Sequence, residues 1–204
     1  MATLSDLRDQ IKSDLILTGT AYDAQVDNAI RSALRKLRGK RYWFLKKMDD
    51  LTLVSGNYSV ALPDDYGAPY MFELLYNGYR ASDGQGFDFL TFDRLKREYW
   101  VTNPLVTTVP IACATLNDAL YVSCIADQNY TIPITYYQQD ATLPVSDSDT
   151  SVWFDDGYDL CRVLAVYMFK RESQGYTVNE EDGALVALYT KYLDEDHVAR
   201  EAGR

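Results

Sequence analysis

His197 is the sole histidine of the 204-residue chain, so any Ser-His-Asp or Cys-His arrangement would have to be built on it. It falls in residues 196–204, a stretch with no apolar stripe to orient an imidazole, and no catalytic residue is assigned. Metal sites of two or three histidines are excluded by count. Cys113, Cys124 and Cys161 make an odd number with no C-x-x-C pair, which indicates neither a zinc ribbon nor a disulfide framework. They read as buried reduced thiols, with Cys113 and Cys124 able to face each other across a hairpin. Asp147, Asp149, Ser151 and Asp155 alternate like the ligands of a calcium loop, but Val152 stands where the tight turn needs glycine and Tyr158 where the bidentate glutamate belongs. Asp155 and Asp156 read as carboxylates at a helix start, stabilised by the helix dipole. There is no Walker loop, no G-x-G-x-x-G and no G-x-S-x-G. The expectation is therefore a protein that is not an enzyme and holds no metal or cofactor.

The chemistry that remains is charge and contact. Residues 31–47 hold eight basic side chains, Arg31, Arg35, Lys36, Arg38, Lys40, Arg41, Lys46 and Lys47, and no acid. The formal net charge is -10, so the rest of the chain carries -18. Residues 127–159 hold seven aspartates and no lysine or arginine, so charges of opposite sign are segregated along the chain, a pattern suited to head-to-tail self-association. Seventeen tyrosines add rings that tolerate one buried side and one wet hydroxyl, as protein interfaces require. No apolar run is long enough to span a membrane, and the first ten residues lack a basic-then-apolar leader pattern.

The elements that must position these groups follow from periodicity. Thr3 with Asp6 fits an N-cap with an acid three positions on, and Leu4, Leu7, Ile11 and Leu15 recur at helical spacing, which predicts a helix over 3–17. Asp23 is expected to cap a second helix over 23–41, whose Val26, Ala29, Ile30, Ala33, Leu34 and Leu37 form one apolar stripe. Tyr42, Trp43, Phe44 and Leu45 then read as an aromatic plug. From residue 51 the period changes to alternation: strands 51–54 and 58–62 around Ser55-Gly56-Asn57 read as a hairpin, and Asn77-Gly78 signals a second. Residues 91–99 read as a short helix, two strands flank Asn117-Asp118, and YTIPITYY supplies a last strand with Pro133 pointing to an edge or a bulge. Helical period returns over 156–173 and 180–195, where Leu185, Leu188, Tyr189, Tyr192 and Leu193 mark the final helix. The expected fold is α+β, a helical bundle made by N-terminal (1–50) and C-terminal (146–195) helices, with an antiparallel β domain inserted over 51–145 and a free tail over 196–204.

Taken in order, these segments resemble the head-to-tail connector (adaptor) proteins of tailed double-stranded DNA bacteriophages. The resemblance is carried by the basic helix running into Trp43-Phe44-Leu45, by Val54 to Gly56, then Tyr58, Leu62, Pro63, Asp65 and Tyr66, and later by Leu120-Tyr121, Tyr136-Tyr137 and two closing helices. It spans about residues 4–193; the acidic loop 147–151 departs from it. It implies a structural virion protein, assembled in the host cytoplasm, that forms a homo-oligomeric ring, commonly of twelve subunits, between the portal protein and the tail tube or nozzle protein. Such a ring seals the junction and conducts double-stranded DNA. Candidate portal, neighbour or DNA contacts are Arg31, Arg35, Arg38, Lys40, Arg41, Lys46 and Lys47. Candidate portal contacts in the tail are Asp196, His197, Val198, Arg200 and Arg204. Two other readings stay open: a stopper or tail-completion protein of the same junction, and a nucleic-acid-binding module acting through residues 31–47.

Overall fold

Thr3 and Asp6 form the reciprocal cap their spacing suggests: Asp6 N–H donates to Thr3 Oγ1 (3.3 Å) and Thr3 N–H to Asp6 Oδ2 (2.8 Å), two orphan donors satisfied at once. They open helix α1, Leu4–Asp14, in a computed structural model that describes residues 2–76, 79–80, 87–101, 106–140, 142–173 and 176–202. Helix α2 is Asp23–Leu37 and a 3-10 turn follows at Trp43–Leu45. Strands β1 (Lys46–Leu53), β2 (Ser59–Ala61), β3 (Tyr66–Phe72), β4 (Leu75–Tyr76), β5 (Tyr79–Arg80) and β6 (Asp88–Phe89) precede α3 (Phe92–Tyr99). Then come β7 (Thr107–Thr108), β8 (Ala112–Leu116), β9 (Ala119–Val122), β10 (Ile125–Ala126) and β11 (Tyr130–Gln138), and finally α4 (Tyr158–Glu172) and α5 (Glu180–Ala202). The fold is α+β, with helices from both ends of the chain and a β-rich insertion between them.

Two compact units divide the chain: Met1–Leu45 with Gln139–Arg204, and Lys46–Gln138. The insertion thus begins five residues earlier than the change of period at residue 51 suggests, because Lys46 to Asp50 already pair with β11, and it ends at residue 138 instead of 145.

In the helical unit the apolar stripes meet. Leu4, Leu7 and Ile11 of α1, Val26, Ile30, Ala33 and Leu34 of α2, and Leu160, Leu164, Met168 and Phe169 of α4 are all buried, each large side chain worth about 1.5–3 kcal/mol of removal from water. Arg8 binds Asp27 in two-pronged fashion (2.6 and 2.9 Å) and also reaches Asp147 (2.6 Å). That network ties α1 to α2 and to the 139–157 connection. Asp23 is not a cap: Tyr22 occupies that position without a side-chain bond, and the Asp23 carboxylate is taken by Lys12 at 2.6 Å. Helix α2 stops at Leu37, four residues short of expectation, since the chain turns extended at Arg38 and Gly39 follows with φ +89°, a conformation that favours glycine.

The largest correction to the sequence reading lies in α5. Residues 196–202 are no free tail; they continue the helix to Ala202. Of its 23 residues only Asp182 is buried. Asn179 and Asp182 cap its start reciprocally, Asn179 N–H donating to Asp182 Oδ2 (3.1 Å) and Asp182 N–H to Asn179 Oδ1 (3.2 Å), while Lys170 of α4 donates to Asp182 Oδ1 at 2.6 Å.

In the β unit one sheet runs β1, β11, β4, β5, with β3 also paired to β11; a second runs β2, β9, β8, β6; β7 and β10 form a third, two-stranded pair. The first sheet is antiparallel throughout, whereas β6–β8 and β7–β10 are short parallel pairings that the expectation of an antiparallel domain does not include. Strands β1 and β2 are not a hairpin. Gly56, at φ +85°, donates its N–H to the Ala126 carbonyl (2.8 Å), and the turn sends β1 to β11 and β2 to β9 in a different sheet. The β8–β9 hairpin is present, with Asn117 at φ +52°. Strands β4 and β5 pair as a hairpin, and the Asn77-Gly78 signal between them lies outside the described residues.

Pro133 sits in β11, a central strand rather than an edge. Its carbonyl accepts from Glu73 N (3.1 Å), so its missing donor faces the place where the chain passes from β3 to β4, and the ladder to β1 loses nothing. The core between the two larger sheets is Leu51, Leu53, Phe72, Ile132, Ile134 and Tyr136 against Leu120 and Val122. Helix α3, capped by Thr91, buries Leu95 on Ala112 and Ala114.

Candidate functional site

The basic run is divided between the two units. Arg31, Arg35, Arg38, Lys40 and Arg41 belong to the helical unit, Lys46 and Lys47 to the β unit. Arg31 is half-buried and occupied, donating to Asn28 Oδ1 (2.8 Å) and the Pro144 carbonyl (3.3 Å). Arg38 donates to the Asp140 carbonyl (3.3 Å). Lys46 lies over the Tyr70 ring at 3.7 Å, and Lys47 pairs with Asp65 at 2.8 Å. Burial alone would raise the Asp65 carboxyl, but Lys47 and the Tyr136 hydroxyl outweigh it and hold it below its usual value. What remains is Arg35, Lys36, Lys40 and Arg41, exposed and without ion pair or side-chain hydrogen bond among the described residues. These four cations cluster about the C-terminal end of α2.

The aromatic plug is a clasp for α5. Tyr42 stacks on Phe44 (5.8 Å), and both meet the edge of Trp153 (5.8 and 5.4 Å). Tyr42 hydroxyl donates to Asp194 Oδ1 (2.8 Å) and Trp43 Nε1 to Asp196 Oδ2 (2.8 Å). Burial first, then the Asp194 carboxylate, pushes the Tyr42 phenol well above its ordinary range. Arg200 covers the Trp43 ring at 3.8 Å and also donates to Asp196 (2.9 Å). His197 stands edge-on to Tyr42 at 6.0 Å, its Nδ1 buried and without a hydrogen-bond partner among the described residues. Asp196, His197 and Arg200 thus all make contacts within the chain. Val198 projects outward, 64% exposed, and Arg204 lies outside the described residues.

Sequence reading missed which face of α5 is wet. Leu185, Leu188 and Tyr192, expected among its packing residues, are 44%, 41% and 57% exposed, and an open apolar groove along the same helix is lined by Ala187, Thr190, Val198 and Ala202. The signal was present in the sequence: Val186, Tyr189 and Leu193 form a second apolar line, and it is this one that turns partly inward. Two carboxylates of the calcium-like loop are engaged within the chain. Asp147 serves Arg8, and Asp149 accepts the N–H groups of Val145 and Ser146 (2.8 and 2.9 Å), which lower its carboxyl. The three cysteines are buried and unpaired, with burial raising each thiol, so the facing pair across the hairpin is not made: Cys113 registers with Val122.

An α+β scaffold whose functional-looking groups are cations and an exposed apolar helix face, with aromatic rings spent on internal clasps, defines a structural interaction protein. The chain belongs to the SU10 adaptor protein family, whose model matches residues 2–203, a family of phage head-to-tail adaptors with a structural role at the head-tail junction of the virion. None of the curated proteins compared with it matches the chain. Among the described residues no helix is long and apolar enough to cross a membrane.

Proposed function

We propose that the chain assembles as a homo-oligomeric ring, of twelve copies as the family resemblance implies, between the portal protein and the tail tube or nozzle protein, where it seals the junction and conducts double-stranded DNA. The observation that supports this reading is the exposed apolar line of α5, Leu185, Leu188 and Tyr192. An apolar face of that length on a helix with one buried residue calls for a protein cover. The same unit presents Arg35, Lys36, Lys40 and Arg41 unpaired, so it offers two dissimilar surfaces. Dissimilar patches meeting from copy to copy give a heterologous contact, which closes into a ring when its rotation allows. In this reading the cations face an acidic neighbour or the portal, and the DNA channel is lined by acid, which lets the polymer slide.

Two double variants test it. Leu188→Lys with Tyr192→Lys alters side chains that already face water, so melting should hold while native mass spectrometry shows loss of the oligomer and of portal capture. Arg35→Glu with Lys40→Glu should likewise impair assembly, leaving duplex DNA affinity at its background level. Retained assembly with a filter-binding salt slope that falls after charge reversal would transfer those cations to the nucleic-acid-binding reading.

A further inference from the structure

Strand β1 is an edge. It pairs with β11 along its whole length and with nothing on its other side among the described residues. Its outer half, Lys47 to Asp50, is exposed, and Met48 stands 77% in solvent. An open edge of eight residues is a template for another strand, and the direction of its free groups can be read from its partner. Asp50 lies opposite Pro133, whose carbonyl is turned away toward Glu73, so this is a non-hydrogen-bonded pair and Asp50 points its own N–H and C=O at the open side. Alternation gives Lys46, Met48 and Thr52 the same direction. The Asp50 N–H is meanwhile held by its neighbour's carboxylate, Asp49 Oδ1, at 2.9 Å.

The charges along this edge read Lys46-Lys47-Met48-Asp49-Asp50, a sequence that is its own complement when reversed. We infer that two copies of the chain pair through β1, antiparallel about a two-fold axis at Met48. In that register Lys46 stands opposite Asp50 of the second copy and Lys47 opposite its Asp49, while the outward backbone groups of residues 46, 48 and 50 meet their counterparts as hydrogen-bonded pairs. The nearest other registers open to the same outward groups oppose like charges. Centring on Lys47 places two Lys47 side chains together, centring on Asp49 opposes two Asp49, and centring on Asp50 opposes two Asp50; like charges directly opposite destabilise a sheet. The charges that keep a foreign strand off this edge therefore admit one partner, itself. Lys47 retains Asp65 within its own copy, and Asp49 exchanges the Asp50 N–H for the facing Lys47. Five paired residues make a small interface, so the dimer is weak and reversible. It is a closed, isologous contact on the β unit and does not rest on the ring reading, which concerns the helical unit.

The full chain is tested by sedimentation velocity over a concentration series. The wild type should move from one to two times the 23.2 kDa chain mass, and lose the dimer at high salt. Lys46→Glu and Asp50→Lys, which leave the Lys47–Asp65 pair alone, should each weaken pairing by about tenfold or more. Their equimolar mixture should restore it, because the carboxylate introduced at position 46 of one variant then meets the ammonium introduced at position 50 of the other. Met48→Cys gives a second readout: the α-carbons of a hydrogen-bonded antiparallel pair are about 5.5 Å apart, within disulfide reach, so mild oxidation should yield a covalent dimer on a non-reducing gel, the native thiols being buried. Single variants that dimerise like the wild type, a mixture that stays monomeric, or no cross-link at residue 48 would each overturn the pairing.

Discussion

Deleting residues 196–202 would remove the end of α5 together with its clasp on the 3-10 turn. The strongest interactions lost are the Trp43 Nε1 bond to Asp196 and the Arg200 guanidinium over the Trp43 ring, beside the edge-on His197–Tyr42 contact; the Tyr42–Asp194 bond stays. A hydrogen bond to a charged group is worth about 1.5–3 kcal/mol, and an exposed cation–π contact about 0.5–1 kcal/mol. Asp196 and Arg200 are each about half exposed, which places both contributions at the lower part of those ranges, for a total of about 2–3 kcal/mol. For a chain of this size each kcal/mol moves the melting temperature by about 2–4 °C, so the truncated chain should melt about 4–12 °C lower. Circular dichroism at a helix wavelength reads this directly. Trp43→Phe, which keeps an aromatic ring and removes the donor, should account for most of the loss, about 1.5–2 kcal/mol. Equal melting of full and truncated chains would mean that the last turns do not hold to the plug, and the free-tail expectation drawn from sequence would stand after all.

Leu34→Ala and Leu164→Ala each open a cavity where α2 and α4 pack, and each should cost about 2–5 kcal/mol in urea unfolding. Gly157→Ala would set a Cβ 2.6 Å from Trp153 Cε3 and 3.1 Å from Phe44 Cζ; both rings are packed against each other, so thermal melts should show a loss of about 1–3 kcal/mol. Asp182 is lowered below 3.8: burial opposes ionisation, and Lys170 with the Asn179 N–H outweighs it. A folded-state value below the unfolded one gives stability that is whole above about pH 4 and lost as pH falls through the folded value; Asp182→Asn should therefore reduce stability at pH 7 and flatten the acid limb of a stability-versus-pH curve.

Local chemistry was legible where it is self-contained. The Thr3–Asp6 cap, the α2 stripe, the short helix read over 91–99 and the Asn117-Asp118 turn each involve residues within a few positions of one another, and each is found, the short helix as Phe92–Tyr99. What was not legible depends on distant partners. Ser55-Gly56-Asn57 looks like a hairpin turn because alternation flanks it, yet β1 finds its mate about 80 residues away in β11; a period of two says that a segment is a strand and not which strand it joins. The basic run is continuous in sequence, but a change from helix to strand at residues 45–46 divides it between two units. In the candidate site the exposed apolar line of α5 escaped notice because the helix carries two such lines, and composition cannot choose between them.

Anchors at its two ends explain how a helix with one buried residue holds its length. At about 1.5 Å per residue, α5 is about 34 Å long, and its specific anchors stand at the two ends: the Asn179–Asp182 cap with Lys170 at the start, and the Tyr42 and Trp43 clasp at Asp194, Asp196 and Arg200. Between them Leu185, Leu188 and Tyr192 face water. Helical propensity alone leaves such a segment marginal, so the anchors keep the outward line in helical register before anything binds it. A partner that covers the middle then loses little conformational entropy, because the surface it meets is already formed. It follows that weakening either anchor should damage assembly by more than it damages the surface in contact. Trp43→Phe, whose site does not overlap the exposed line, should weaken oligomer formation as well as lower melting, and assembly at wild-type strength in that variant would show that preorganisation by the clasp is not part of the mechanism.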